Sequence, residues 1–102
     1  MPETVQLDKV AAGTFSPFIE SLFNIDLSPW GSLTLTLNNV TEVGPEVPGR
    51  RRAFSLIFLG PIEPILPQRI YALEHETMGR LEIFIVPIGV TQSNCRYEAV
   101  FT

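Results

Sequence analysis

The chain has 102 residues, of which 45% are hydrophobic and 18% are charged. That is enough apolar material for one folded domain but not for two independent cores, so a disordered chain and a two-domain protein are both excluded. The formal charge of -4 argues against sequence-independent nucleic-acid binding, which depends on an excess of basic residues.

The first predicted element is a short helix over residues 14–21. Ser16 is a candidate N-cap, and Pro17 occupies a first-turn position where a backbone N–H is not needed. From residue 22 onwards, apolar residues recur between turns rich in glycine and proline, a pattern typical of short strands. We therefore expect one domain over residues 1–102, with the helix first and strands over residues 22–102.

The next two predicted elements are strands joined by a tight turn. Apolar and polar residues alternate over residues 23–27, and leucine alternates with threonine over residues 33–37. Between them, Ser28-Pro29-Trp30-Gly31 places proline at the second position of a turn. Asn38 and Asn39 break the second alternation, which predicts a bulge or the end of the strand.

The middle of the chain combines one strand with two loops. A loop over residues 44–49 precedes a predicted strand over residues 53–59, whose apolar residues lie on both faces and indicate a central position. Prolines then recur at every third position, at Pro61, Pro64 and Pro67. This spacing predicts an extended, polyproline-like connector.

Three further strands are predicted over residues 71–75, 81–86 and 96–101. Glu76-Thr77-Met78-Gly79 reads as a tight hairpin, in which glycine can take a positive φ. Six short strands in so small a domain must close or stack. We therefore expect a mainly β fold of mostly antiparallel strands, forming a small barrel or a two-layer sandwich, with one short N-terminal helix. The residues expected in its core are Leu33, Leu35, Phe54, Leu56, Phe58, Tyr71, Leu73, Ile83 and Ile85.

Three consecutive polar residues are the candidates for catalysis. Glu74 and Glu76 flank His75, and on a strand the two carboxylates would share one face about 7 Å apart, a separation near that of a two-carboxylate glycosidase. A solvated strand end beside a hairpin, with His75 bonded to the turn backbone, explains the same residues. Cys95 could act with His75 as a thiolate pair or pack as a small hydrophobe. We expect the structural explanation in each case, with no catalytic residue.

Two features are candidates for binding a partner. Arg50, Arg51 and Arg52 hold three of the seven basic residues; they suit an acidic or phosphorylated partner, or simply oppose edge pairing between sheets. Trp30 stands at a predicted turn tip, where it either anchors a partner or folds back over the core.

Several classes of site and location are not expected. Cys95 and His75 are the only cysteine and the only histidine, so we expect no disulfide, no metal site and no cofactor. Met1-Pro2-Glu3-Thr4 has no basic residue and precedes no apolar run, so no export signal is expected. No stretch reaches the ~20 apolar residues that span a bilayer. We expect no membrane association, and a location in the cytoplasm or in an assembled particle.

Several segments together resemble a known family. They are Phe54-Ser55-Leu56-Ile57-Phe58-Leu59-Gly60-Pro61, Leu66-Pro67-Gln68-Arg69-Ile70-Tyr71-Ala72-Leu73-Glu74-His75, Gly79-Arg80-Leu81-Glu82-Ile83-Phe84-Ile85-Val86-Pro87, the ending Tyr97-Glu98-Ala99-Val100-Phe101 and the opening Phe15-Ser16-Pro17-Phe18. Nearly the whole chain is similar to a bacterial family of small all-β domains described as a domain of unknown function. The resemblance implies a place beside phage-tail-like collar or fibre proteins, and it carries over no catalytic residue.

The leading functional hypothesis is a non-enzymatic structural or interaction module that binds itself or a larger assembly, phage-tail-like in kind. Its expected contacts are Trp30 and the three loop arginines, and its expected partner is a protein rather than nucleic acid or a membrane. One alternative is a small ligand-binding β-barrel, for which Gln68, Tyr71 and His75 are the inward polar candidates. A third, less favoured hypothesis is a small hydrolase that uses Glu74, His75 and Glu76.

Overall fold

The alternating segments of the sequence form a barrel. Within residues 6–102, which the computed structural model describes, six antiparallel strands close in the order β1-β2-β3-β6-β5-β4. The strands are β1 (Leu22–Asp26), β2 (Ser32–Glu42), β3 (Phe54–Gly60), β4 (Arg69–His75), β5 (Gly79–Val90) and β6 (Cys95–Phe101). The mainly β prediction is confirmed, and of its two forms the barrel is the one adopted. The expectation about an export signal at residues 1–4 lies outside the described residues.

The helical segment lies earlier than the sequence predicts. Helix α1 spans Ala12–Phe15 and continues as a 3-10 turn at Ser16–Phe18, whereas the prediction covers residues 14–21. The hydroxyl of Thr14 accepts a hydrogen bond from the backbone N–H three residues before it, at 3.0 Å, so the helix is capped before Ser16. It ends ahead of Glu20, whose φ of 76° is incompatible with a right-handed helix. No helix within residues 6–102 has the length and apolar character needed to cross a bilayer.

Two long strands, β2 and β5, change neighbours along their length. The first half of β2 pairs with β1 and the second half with β3, while β5 pairs first with β4 and then, from Val86, with β6. The register shifts between Leu37 and Asn39 in β2, and between Pro87 and Gly89 in β5. Because a bulge bends a strand and sharpens its twist, these two positions allow a six-stranded sheet to close. Of the two alternatives predicted at the asparagine pair, a bulge or a strand end, the structure has the bulge, and the strand continues to Glu42.

The barrel interior is filled by side chains from all six strands. The buried apolar residues form a single cluster, which contains every residue that the sequence placed in the core: Leu33, Leu35, Phe54, Leu56, Phe58, Tyr71, Leu73, Ile83 and Ile85. Near its middle, Phe23 and Phe58 meet edge to face with ring centroids 5.3 Å apart. At one end, Phe15 from helix α1 packs against Phe54 and Phe101.

The proline-rich connector between β3 and β4 is bent rather than extended. The chain bends over residues 62–64, which differs from the polyproline-like segment that the proline spacing predicts. Leu66 is buried against the core, whereas Ile62 and Ile65 remain exposed. The N–H of Leu66 donates a hydrogen bond to the hydroxyl of Tyr97, so one apolar side chain and one hydrogen bond hold the connector to the barrel.

Candidate functional site

The imidazole of His75, the last residue of β4, is buried and bonded on both nitrogens. Its Nδ1 accepts hydrogen bonds from the backbone N–H groups of Thr77 and Met78 at 3.0 and 3.1 Å. The ring proton therefore lies on Nε2, which is 2.9 Å from Ser21 Oγ. The Ser21 hydroxyl in turn donates to the carbonyl oxygen of Phe18. The predicted bond between His75 and the turn backbone is confirmed.

Ser21 and His75 thus form a serine–histidine pair that the sequence does not reveal. The two residues are far apart in the chain, and only the pairing of β1 with β4 brings them together. In a nucleophilic pair, the histidine nitrogen beside the serine must be free to take the hydroxyl proton. Here that nitrogen carries the ring proton and the hydroxyl donates elsewhere, so the pair ties the residue before β1 to the end of β4 and is not poised for proton abstraction.

The two carboxylates on either side of His75 face different surroundings. Glu74 is on the outer face of β4, opposite Asn24 of β1 and Arg80 of β5. Glu76 lies in the turn after the strand and borders, with His75, a groove of about 320 Å³ that Glu74 does not line. The alternation that would place both carboxylates on one face stops at His75, where β4 ends.

Cys95 and His75 lie at opposite ends of β5. His75 is opposite Gly79 at the start of that strand, and Cys95 is opposite Val90 at its end. A thiolate–imidazole pair is therefore excluded by geometry. Within residues 6–102, no group of three or more His, Cys, Asp or Glu side chains is placed to hold a metal ion.

The three polar residues that the ligand-barrel alternative requires do not face a common interior site. The hydroxyl of Tyr71 donates to the carbonyl oxygen of Pro67 at 2.7 Å, and burial raises the pKa of this phenol. Gln68 is exposed on the connector, and both nitrogens of His75 are bonded as described above. These three side chains therefore do not converge on a common ligand.

Arg51 ties both ends of the described chain to the barrel. Its Nη1 donates to the carbonyl oxygens of Leu7 and Val10, both at 2.6 Å. Its Nε and Nη2 donate to the backbone oxygen of Thr102 at 3.2 and 3.0 Å. The guanidinium carbon lies 5.7 Å from the centroid of the Phe54 ring. Arg51 therefore has an internal role that a run of three arginines in the sequence does not indicate.

The other two loop arginines differ from Arg51 and from each other. Arg52 Nε donates to the carbonyl oxygen of Gly44 at 3.0 Å, and its Nη1 lies 3.9 Å from a carboxylate oxygen of Glu42. Arg50 is exposed. The Arg50 side chain makes no hydrogen bond or ion pair with residues 6–102, and partner contact through this loop stays a prediction.

Large apolar side chains lie on the outer face of the barrel. Trp30 at the β1–β2 turn is 87% exposed, Ile70 of β4 63%, Val100 of β6 58% and Phe84 of β5 51%. Ile70 and Phe84 are directly opposite each other in the β4–β5 ladder. Ile70, Phe84 and Val100 line one groove of about 410 Å³, and Trp30 and Ile70 line another of about 360 Å³. We refer to these four residues as the outer stripe.

Charged groups accompany the Trp30 end of the outer stripe. The guanidinium carbon of Arg69 lies 5.6 Å from the centroid of the Tyr71 ring. Asp26 accepts hydrogen bonds from the hydroxyl and the N–H of Ser28 at 2.6 and 2.9 Å, and these bonds lower the pKa of its carboxyl. This groove therefore offers an aromatic surface together with one cation and one hydrogen-bonded anion.

The sequence placed Trp30 at a turn tip, either as an anchor or folded over the core, and the structure leaves it exposed; the rest of the outer stripe was missed. Phe84 lies in a run that is apolar on both faces, which the periodicity assigns to a buried strand, and Ile70 lies just before the strand predicted over residues 71–75. In a closed barrel the second face of every strand points outwards. Outward apolar residues at adjacent register positions would therefore have indicated the outer stripe. They can be identified as adjacent only once the strand pairing is known.

Comparison with known proteins assigns a family but no activity. A family model described as "Domain of unknown function (DUF6916)" matches residues 10–101, a range that includes all six strands. No curated protein and no solved structure matches the chain.

Proposed function

The chain belongs to the DUF6916 family, and we propose that it is a non-enzymatic module that acts by binding a protein through the outer stripe. The observation that carries this proposal is the contiguity of Trp30, Ile70, Phe84 and Val100 across neighbouring elements. Single exposed apolar residues are common on soluble proteins, whereas contiguous ones mark interaction sites. Tryptophan and other aromatic residues are also the side chains that most often dominate binding energy.

The outer face where β1 meets β2 shows the contrast. There the hydroxyl of Thr34 donates to the amide oxygen of Asn24 at 2.7 Å. These two polar side chains satisfy each other on the surface. The outer stripe has no such pairing to offer, and its burial against another protein would be favourable at ~25 cal/mol per Å².

The partner is proposed to be a second copy or a larger structural assembly. A phage-tail-like assembly is the form that the family resemblance implies, and it is part of the proposal. The exposed Arg50 is proposed to orient an acidic partner surface, since exposed ion pairs contribute only about 0–1 kcal/mol. Affinity would then come from the apolar stripe, and added salt should slow association more than it abolishes it.

The test measures the molar mass of the protein by light scattering, alone and mixed with the products of neighbouring genes. We expect the wild type to form a complex, and Ile70→Glu and Phe84→Glu to weaken it at least about tenfold because each buries a carboxylate in an apolar interface. Val90→Glu is the matched control, since Val90 is an exposed valine at the far end of β5 and lines neither groove of the outer stripe.

Two outcomes would contradict the proposal. A wild type that stays a monomer in every mixture would remove binding as the function. Equal complex formation by the stripe variants and the Val90→Glu control would remove the outer stripe as the surface. Thermal unfolding of each variant shows whether a lost complex reflects the surface or a damaged fold, because exposed substitutions usually change stability by no more than about 0.5 kcal/mol.

A further inference from the structure

The turn between β1 and β2 holds the backbone of Trp30 in a fixed position. The N–H of Leu27 donates to the carbonyl oxygen of Gly31 at 2.8 Å, and the N–H of Trp30 donates to the carbonyl oxygen of Leu27 at 2.9 Å. Gly31 takes a φ of 118°, which is accessible to glycine but rarely to other residues. The 87% exposed indole therefore stands on an ordered turn, so that binding a ligand costs little backbone entropy.

Asp26 contributes an unused carboxylate oxygen to the groove of about 360 Å³ beside this indole, which we call the Trp30 groove. Both hydrogen bonds from Ser28 end on Oδ1 of Asp26, and no donor among residues 6–102 contacts its Oδ2. The bonds from Ser28 hold the pKa of the Asp26 carboxyl below its ordinary value. At neutral pH the group is therefore ionised, and Oδ2 is a strong acceptor for a ligand.

The guanidinium of Arg69 is the second polar group of the Trp30 groove that lacks a partner. Its carbon lies 5.6 Å from the centroid of the Tyr71 ring, and it forms no hydrogen bond or ion pair with the part of the chain that the structure describes. Asp26 and Arg69 therefore line one groove without neutralising each other. The N–H groups of Arg69 can be donated to a ligand.

A ligand that uses these three side chains has a defined chemistry. It carries an apolar face for the indole, a donor for Asp26 and an acceptor for Arg69, all within a groove at the small end of the range for small-molecule sites. A net charge on the ligand is not favoured, because either sign would be attracted by one of the two charged side chains and repelled by the other. A pyranose ring meets these requirements, since its axial C–H groups form an apolar face and each hydroxyl both donates and accepts.

We propose that the Trp30 groove binds a neutral saccharide, with one pyranose ring stacked on the Trp30 indole and its hydroxyls bonded to Asp26 Oδ2 and the Arg69 guanidinium. The C–H face of the sugar meets the electron-rich face of the indole. The inference goes beyond the proposed function and does not rest on it, because Phe84 and Val100 line the other groove and take no part here. An uncharged peptide segment, which also carries donors, acceptors and apolar groups, is an alternative outcome of the test.

Trp30 is the only tryptophan of the chain, so its indole N–H resonance and its fluorescence report on this groove alone. The experiment titrates the isotope-labelled full chain with the methyl glycosides of glucose, galactose, mannose and N-acetylglucosamine. Sorbitol, which has hydroxyls but no ring, and a capped, uncharged tetrapeptide of valine, threonine and proline are titrated in parallel. We expect at least one glycoside to bind with a Kd of about 1–10 mM, because a shallow groove buries one face of a single ring. The shifts should lie at the indole and in residues 25–31 and 69–72, and sorbitol and the peptide should produce none.

Four variants assign the contacts. Trp30→Ala should abolish binding of the glycoside, and Asp26→Asn and Arg69→Gln should each weaken it about tenfold by removing a charge-assisted hydrogen bond. The asparagine oxygen can still accept the bonds from Ser28, so Asp26→Asn tests Oδ2 rather than the turn. Arg96→Gln is the matched control for Arg69→Gln, since Arg96 is exposed on β6 and lies outside the groove, and it should leave the Kd unchanged.

Several results would overturn the inference. One is the absence of any glycoside-induced shift at about 50 mM, several times the weakest Kd expected. Equal shifts with sorbitol, or binding that survives Trp30→Ala, would show that no ring stacks on the indole. Unchanged binding in both Asp26→Asn and Arg69→Gln would remove the hydroxyl contacts. Binding of the peptide without any glycoside would assign the groove to a protein segment.

The proposed function fails separately from this inference. Phe84→Glu should weaken the protein complex and leave the Kd of the glycoside unchanged. A protein complex without glycoside binding would retain the proposed function and remove the saccharide site. Glycoside binding by a protein that stays a monomer in every mixture would retain the saccharide site and remove the proposed function.

Discussion

The backbone N–H of Leu66 donates a hydrogen bond to the hydroxyl of Tyr97 at 2.9 Å. Tyr97 lies on β6 and is fully buried, and Leu66 lies in the connector that leads from β3 to β4. The bond therefore fixes an otherwise irregular segment to the barrel. Burial raises the pKa of Tyr97 to about 12, more than the bond from Leu66 lowers it.

Because of the Tyr97 phenol, the free energy of unfolding should decrease at alkaline pH. An unfolded tyrosine has a pKa of about 10, so the folded state favours the neutral form of Tyr97. Its contribution is complete below pH ~10 and is lost as the pH rises through ~12. We expect Tyr97 to lower the free energy of unfolding by about 1.4 kcal/mol per pH unit across that window, as measured by urea unfolding together with phenolate absorbance.

The control for this pH dependence is Tyr97→Phe, which should flatten the slope while Tyr71 continues to titrate. At neutral pH the same variant should lose about 1–3 kcal/mol, because the buried N–H of Leu66 is left without its acceptor. A native protein with both tyrosines ionised at pH ~10 would contradict the assignment, since neither pKa would then exceed the ordinary value.

Gly60, at the end of β3, leaves the space that the Tyr97 ring occupies. A Cβ at this position would lie 2.7 Å from Leu35 Cδ2 and 3.1 Å from Tyr97 Cε2. We expect Gly60→Ala to destabilise the protein by about 1–3 kcal/mol, the usual cost of overfilling a packed core. Gly13→Ala in helix α1 is the control, because its Cβ meets nothing within 4 Å and alanine favours a helix. Equal melting temperatures for the two variants would contradict this packing.

Phe58 and Phe84 test the difference between the inner and outer faces of the barrel. Phe58 is fully buried and meets Phe23 edge to face, whereas Phe84 is half exposed. We expect Phe58→Ala to cost about 3–5 kcal/mol, a large share of the ~5–15 kcal/mol typical of a domain. Phe84→Ala should cost about 1 kcal/mol or less. Calorimetry measures both, and an unchanged melting temperature for Phe58→Ala would refute its place in the core.

Periodicity was enough to predict most of this fold. The leucines of β2 alternate with threonines, and the asparagine pair marks the bulge. Gly79 takes a φ of 89°, as the predicted hairpin after β4 requires. These signals are local, because each depends on neighbouring residues and on the steric limits of one turn or strand. Both β2 and β5 run on beyond their predicted ends, since a bulge interrupts the alternation without ending the strand.

The features that depend on distant contacts could not be read from the sequence. Ser21 meets His75 because β1 pairs with β4, and Phe84 shares a groove with Val100 because β5 and β6 are neighbours in the closed barrel. An apolar run on both faces has the same appearance in a buried central strand as in a barrel strand whose outer apolar face is exposed. The candidate site was therefore recognised from the sequence at Trp30 alone.

Arg51 and its neighbour Arg50 separate a structural role from a surface role within one loop. We expect Arg51→Ser to cost about 2 kcal/mol, because it removes charge-assisted bonds to the backbone oxygens of Leu7, Val10 and Thr102. In a domain of this size that lowers the melting temperature by about 10 °C. Arg50→Ser should stay within about 0.5 kcal/mol of the wild type, since its side chain is exposed. Arg51→Lys should restore little of the loss, because an ammonium cannot reproduce the forked geometry of a guanidinium.

Replacing all three loop arginines at once would confound lost partner contact with lost stability. Arg50→Ser is therefore the variant in which a change in complex mass reports on binding. Equal melting temperatures for Arg51→Ser and Arg50→Ser would show that Arg51 does not hold the chain ends to the barrel.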